Sequence, residues 1–125
     1  MANPNIASAT TAIYGTTTYL APANTTANVL LSNAASSGLV FKINNIVAAN
    51  VTGSAANTTV SIDNLAAGAG TDFPIVSAVS VPANASLIAV DKTTGFYLME
   101  NQSIVVTSGT SSAISYTISY ESISA

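Results

Sequence analysis

Hydrophobic positions in this chain recur at every second residue in short runs, and the runs stop at Gly, Asn, Ser or Pro. In "SAISYTISYES" (112–122), Ile114, Tyr116, Ile118 and Tyr120 fall on one side of an extended chain. Ser115, Thr117, Ser119 and Glu121 fall on the other. A period of two marks a strand with one buried face. The same pattern predicts strands at "AIYGTTTYL" (12–20), with Gly15 as a bulge, at "ANVLLSN" (27–33) and at "LVFKINNIVAANV" (39–51). In the last of these, Leu39, Phe41 and Ile43 alternate with Val40, Lys42 and Asn44 until the phase slips at "NN". That slip predicts a bulge at Asn44–Asn45. Further strands are expected at 58–65, with Val60 and Ile62 inward, and at 73–81, 85–90, 96–99 and 103–108.

The segments between these runs read as turns. "AASSG" (34–38), "TGSAAN" (52–57) and a tight "PAN" turn at Pro82 separate strands, and the same "PAN" at 22–24 points to two similar hairpins. "AAGAGTD" (66–72) is the most flexible stretch by composition and is expected to be an exposed loop. Pro74 and Pro82 suit strand ends or sheet edges. About eight strands spaced by roughly 8–12 residues, with no amphipathic helix, predict a single antiparallel β-sandwich, jelly-roll or Ig-like. No linker or charge block divides residues 1–125, so one domain is expected, with 1–11 as an N-terminal arm that orders on assembly.

Composition strengthens the β reading and narrows the function. Ser and Thr supply 33 residues and Ala 22, while long straight-chain helix formers are scarce. Lys42 and Lys92 stand against five acids, for a net charge of −3, and only 6% of residues are charged. Ordinary domains carry about a quarter. Neutralising phosphates takes several Lys or Arg, which excludes a nucleic-acid binder and a polybasic membrane anchor. No run approaches the roughly 18 apolar residues of a membrane span, and the start lacks the basic and apolar regions of a signal peptide. The expected product is cytoplasmic. A neutral Ser/Thr/Asn/Ala surface suits a subunit packed beside copies of itself, since solitary proteins rely on surface charge for solubility.

Candidate chemistry is sparse. Without His or Cys, the Ser-His-Asp and Cys-His nucleophile systems and imidazole or thiolate metal sites are excluded. A Ser–Lys dyad would need Lys42, in a strand between Phe41 and Ile43, or Lys92, beside Asp91 in a turn; solvation explains both better. Asp63, Asp72 and Asp91 would have to meet in space to hold Ca²⁺ through oxygen ligands, and no closely spaced acidic run exists. Paired-carboxylate sugar hydrolysis lacks a local constellation, and no Trp is present to stack a sugar. "AAGAGTD" lacks the Lys and the strand–loop–helix setting of a phosphate loop. The five Asn-x-Ser/Thr sequons are close to chance in so Asn-, Ser- and Thr-rich a chain. No enzyme activity, cofactor, metal or small-molecule substrate is expected. Tyr116 and Tyr120 read as core residues with hydroxyls at the rim; anchoring a neighbouring subunit is the alternative.

The segments "MANPNI", "SNAASSGLVFKINNIVAANV", "VPANASLIAVDK" and "FYLMENQSIVVTSGTSSAISYTISYESIS" resemble small virion proteins of tailed phages, particularly those of marine and cyanobacterial hosts. The likeness is one of layout over most of the chain. It implies a virion structural protein, made in the host cytoplasm and placed on the capsid exterior as a decoration (cement) protein. Its partners would be the major capsid protein and copies of itself. Alternatives are a tail or head-fibre module and a host-surface glycan-binding module, the latter disfavoured by the absence of Trp. A pilus or surface-layer subunit is disfavoured by the absence of an export signal. The candidate contacts are Asn3, Pro4 and Ile6 in the arm, Ala67, Gly68 and Gly70 in the loop, and Ser115, Thr117 and Ser119. The last three are expected on an edge strand without a blocking charge.

Overall fold

The computed structural model describes residues 12–124. They form nine strands: β1 (Ala12–Leu20), β2 (Asn28–Asn33), β3 (Leu39–Asn50), β4 (Ala56–Asp63), β5 (Asp72–Val81), β6 (Ser86–Val90), β7 (Phe96–Leu98), β8 (Gln102–Ser108) and β9 (Ile114–Ser124). Every pairing is antiparallel. Sheet A has the order β1-β9-β3-β6, with β7 also on β3, and sheet B has the order β2-β8-β4-β5.

That order distinguishes between the two sandwich types expected. β6 and β7 pair with different parts of β3 and together form one interrupted lane. The pairs β1·β9, β2·β8, β3·β6/β7 and β4·β5 are then nested, as if one long hairpin had been rolled up on itself. This nesting is the jelly roll. Only the β4–β5 and β6–β7 connections stay within a sheet; all the others cross the sandwich. The two "PAN" segments therefore do not mark hairpins. Each joins a strand of one sheet to a strand of the other, β1 to β2 and β5 to β6.

Alternation fills the interior as the pattern predicts. Ile43, Ile46 and Ala48 of β3 and Ile114, Tyr116 and Ile118 of β9 face Leu30 and Leu31 of β2, Val60 of β4, and Ile104 and Val106 of β8. Ile62 is partly buried against them. The phase slip at "NN" is a bulge, with the β3·β9 register shifting between Ile43 and Asn45. Gly15 is not a bulge: β1 pairs with β9 over nine residues without a shift.

Buried polar side chains tie the sheets together. The Tyr116 hydroxyl crosses from β9 to donate to Thr107 O (2.9 Å) and lies 2.5 Å from Thr58 Oγ1. It ends inside the sandwich, not at the rim, because the strands it reaches belong to the opposite sheet. Asn33 of β2 donates to Leu39 O and Leu98 O, and Asn50 of β3 donates to Ser54 O and Val81 O. Buried amides are tolerable only when bonded in this way. Tyr120, half-buried, stacks tilted on Phe41 with ring centroids 5.0 Å apart.

Candidate assembly surface

β9 is flanked by β1 on one side and β3 on the other. The edge-strand expectation is therefore corrected for Thr117 and Ser119, whose backbone lies in the middle of sheet A; Ser115 pairs with Ala49 of β3 just beyond the end of the β1·β9 ladder. β1 supplies the missing neighbour, through nine continuous pairs that began as a separate run about a hundred residues earlier. Their side chains do lie on the outer face, half-buried, since residues opposite one another across a ladder share a face.

Register lays out that face row by row. Ile13, Ile123 and Val40 form one row across β1, β9 and β3. Thr17 and Ser119 form another, their hydroxyls 3.0 Å apart, continued by Asn45. Tyr19, Thr117, Val47 and Ile88 form a third, reaching from β1 to β6. Gly15, Glu121, Lys42 and Tyr97 make the row that carries charge. The result is a broad face of Ser, Thr and Val with large apolar groups at its margins. Ile13 is 59% exposed, Tyr19 79% and Ile88 63%.

Both lysines of the chain line one shallow depression of about 210 Å³ with Asn44, Phe96, Tyr97 and Glu121. Lys42 is exposed, as expected for the solvent face of its strand, and Lys92 sits in the 91–95 turn. In that turn Asp91 Oδ1 accepts from Thr93 N (2.9 Å) and Thr93 Oγ1 (2.6 Å), and these bonds hold the Asp91 carboxyl below its ordinary value of 3.8.

Residues 64–71 fold over part of the outer face of sheet B. Asp63, buried, accepts from Leu65 N (2.7 Å) and from Gly70 N (3.1 and 3.2 Å to its two oxygens). Ser32 Oγ donates to Ala66 O (2.7 Å) and Ser103 Oγ to Leu65 O (2.8 Å). The stretch expected to be flexible is thus latched onto the sheet. Gly68 has φ +70, and a Cβ there would meet Val29 Cγ2 at 2.7 Å, so this residue faces the protein. Ala67 and Gly70 are exposed, and Asn3, Pro4 and Ile6 lie outside the described residues. The signal for the latch was Asp63 at the end of a strand, whose carboxylate suits the amides of a turning chain.

Asp63 stands opposite Asp72 across β4·β5, whereas Asp91 lies in the β6–β7 connection. Desolvation, then the hydrogen bond that its protonated form donates to Asp63 and repulsion by the Asp63 carboxylate, push the Asp72 carboxyl above 3.8. Among the described residues no three His, Cys, Asp or Glu side chains come together to hold a metal, and no helix is long and apolar enough to cross a membrane.

No family model and no curated protein matches the chain. A solved structure from work titled "Bacillus endospore appendages form a novel family of disulfide-linked pili" is similar to it at 15% identity and a TM-score of 0.47. The match covers 91% of this chain and 88% of that one.

Proposed function

We propose that this protein is a non-enzymatic structural component of a virion, a decoration protein that binds the outside of a shell of major capsid proteins and stabilises it. The observation that carries this reading is the outer face of sheet A. Its part around Ser115, Thr117 and Ser119 is uncharged and flanked by exposed Tyr19 and Ile88, with Glu121 and Lys42 confined to one neighbouring row. Such a face suits contact with a protein surface, where a modest area per copy is multiplied by lattice symmetry. Large exposed apolar groups around a polar neutral field are otherwise a solubility liability. The jelly roll supports the reading only by analogy, since it occurs in capsid, lectin and cupin domains alike.

Shells with and without the protein, compared for resistance to heat and pressure, test this. The decorated shell should withstand more of both and carry copies on the order of its own subunit count. Equal resistance removes the cement role, and a handful of copies per particle points instead to a tail or head-fibre module.

A further inference from the structure

Among the described residues the two sheets present four edges, and three carry devices that keep an edge solitary. β5 contains Pro74, shifts register twice against β4 and has a positive φ at Ala78. β2 is six residues long with a shift between Val29 and Leu31. The far edge of sheet A is split into β6 and β7 by the 91–95 turn. Prolines, bulges, short strands and charges are the usual protections of an edge. β1 has none of them: nine residues, no register shift, no proline and no charged side chain. One row of its backbone N–H and C=O groups points away from β9.

We propose that β1 pairs antiparallel with β1 of a second copy of this chain about a two-fold axis at Thr16, joining two A sheets into one. Register selects the centre. Residues facing each other must share a sheet face, so pairing about one residue is allowed and pairing about a peptide bond between two is not. Thr16 is the midpoint of Ala12–Leu20, so centring there engages the whole strand. It places Ile13 of each copy opposite Tyr19 of the other, turning two of the most exposed apolar side chains into aromatic–β-branched pairs. The row Ile13–Ile123–Val40 of one copy then continues into the Tyr19–Thr117–Val47–Ile88 row of its partner. No charge on either strand opposes the approach.

The chain has no cysteine, so Thr16→Cys adds a single thiol per copy. In this register the two Thr16 Cα atoms stand about 4.5–5.5 Å apart, within disulfide reach. Oxidation should yield a covalent dimer from Thr16→Cys and from the double variant Ile13→Cys/Tyr19→Cys, and little from Ile88→Cys on the far edge. By sedimentation the parent should be dimeric. Thr16→Lys, which sets two ammonium groups face to face, should weaken the dimer on the order of tenfold or more, while Ile88→Lys should not. A parent that stays monomeric across a dilution series overturns the pairing. So does a dimer indifferent to Thr16→Lys, or crosslinking no faster at Thr16 than at Ile88. The crosslinking result holds whether or not Thr16→Lys folds. Shell binding by monomeric Thr16→Lys would retain the decoration role while showing the seam to be separate from it; a dimer that never binds shells would do the reverse.

Discussion

Tyr116 leaves β9, crosses the core and ends on Thr107 O and Thr58 Oγ1 of the opposite sheet. Burial pushes its phenol above 10.0, against a smaller lowering by the Thr58 bond. Tyr116→Phe keeps the ring and leaves both partners without their bond, which should cost about 1–3 kcal/mol in a denaturant titration. Unchanged stability would mean that the hydroxyl joins nothing of consequence. Asp72 offers a pH test. Its folded value lies above the ordinary 3.8, so the folded state holds the proton more tightly than the unfolded chain. Its contribution to stability is therefore lost as pH rises from about 3.8 through the folded value. Asp72→Asn removes that loss, so its melting temperature relative to the parent should climb through this window and then level off. A difference that is flat with pH would mean that folding does not raise the Asp72 value.

At the scale of elements, the loop 64–71 shows how one buried carboxylate organises a Gly- and Ala-rich segment. Asp63 gathers the amides of Leu65 and Gly70, and Ser32 and Ser103 secure the carbonyls between them. Asp63→Ala should release the loop at a cost of about 2 kcal/mol, since bonds to a charged acceptor are stronger than neutral ones and relief of the Asp72 repulsion offsets part of the loss. Amide exchange at Leu65 and Gly70 should accelerate while β8 remains protected. Continued protection at both would mean that the serines hold the loop alone. Composition marked this segment as an exposed loop, and Ala67, Ala69 and Gly70 are exposed; the latch was not legible because Gly and Ala are permissive in an open loop and equally suited to close approach over a sheet, as Gly68 does over Val29 and Val105. By contrast, the β3 bulge was legible, because a slip in a strict alternation has no other local meaning.

For the whole molecule, the face of sheet A is where folding and assembly meet. Thr117 is half-buried between Tyr19 and Val47, so Thr117→Lys can lay its stem over that row with the ammonium in water. Folding stability should stay within about 1 kcal/mol of the parent, while binding to shells falls. A folded variant that decorates shells as well as the parent removes this face from the contact surface. Strand existence, the inward residues Ile43, Val60, Ile114 and Ile118, and the neutral surface were all readable along the chain, because period-two alternation and charge are local properties. Which strands are neighbours was not. β9 had the polar face of an edge strand and proved central because β1, nearly a hundred residues away, pairs with it from Tyr116 to Ser124. Sequence alone therefore determined a sparsely charged all-β chain with its buried faces assigned. Only the tertiary structure decided that the strands nest as a jelly roll, that Tyr116 and Asp63 spend their polar atoms inside, and that the unguarded edge is β1, since pairing between distant strands leaves no periodic trace in either.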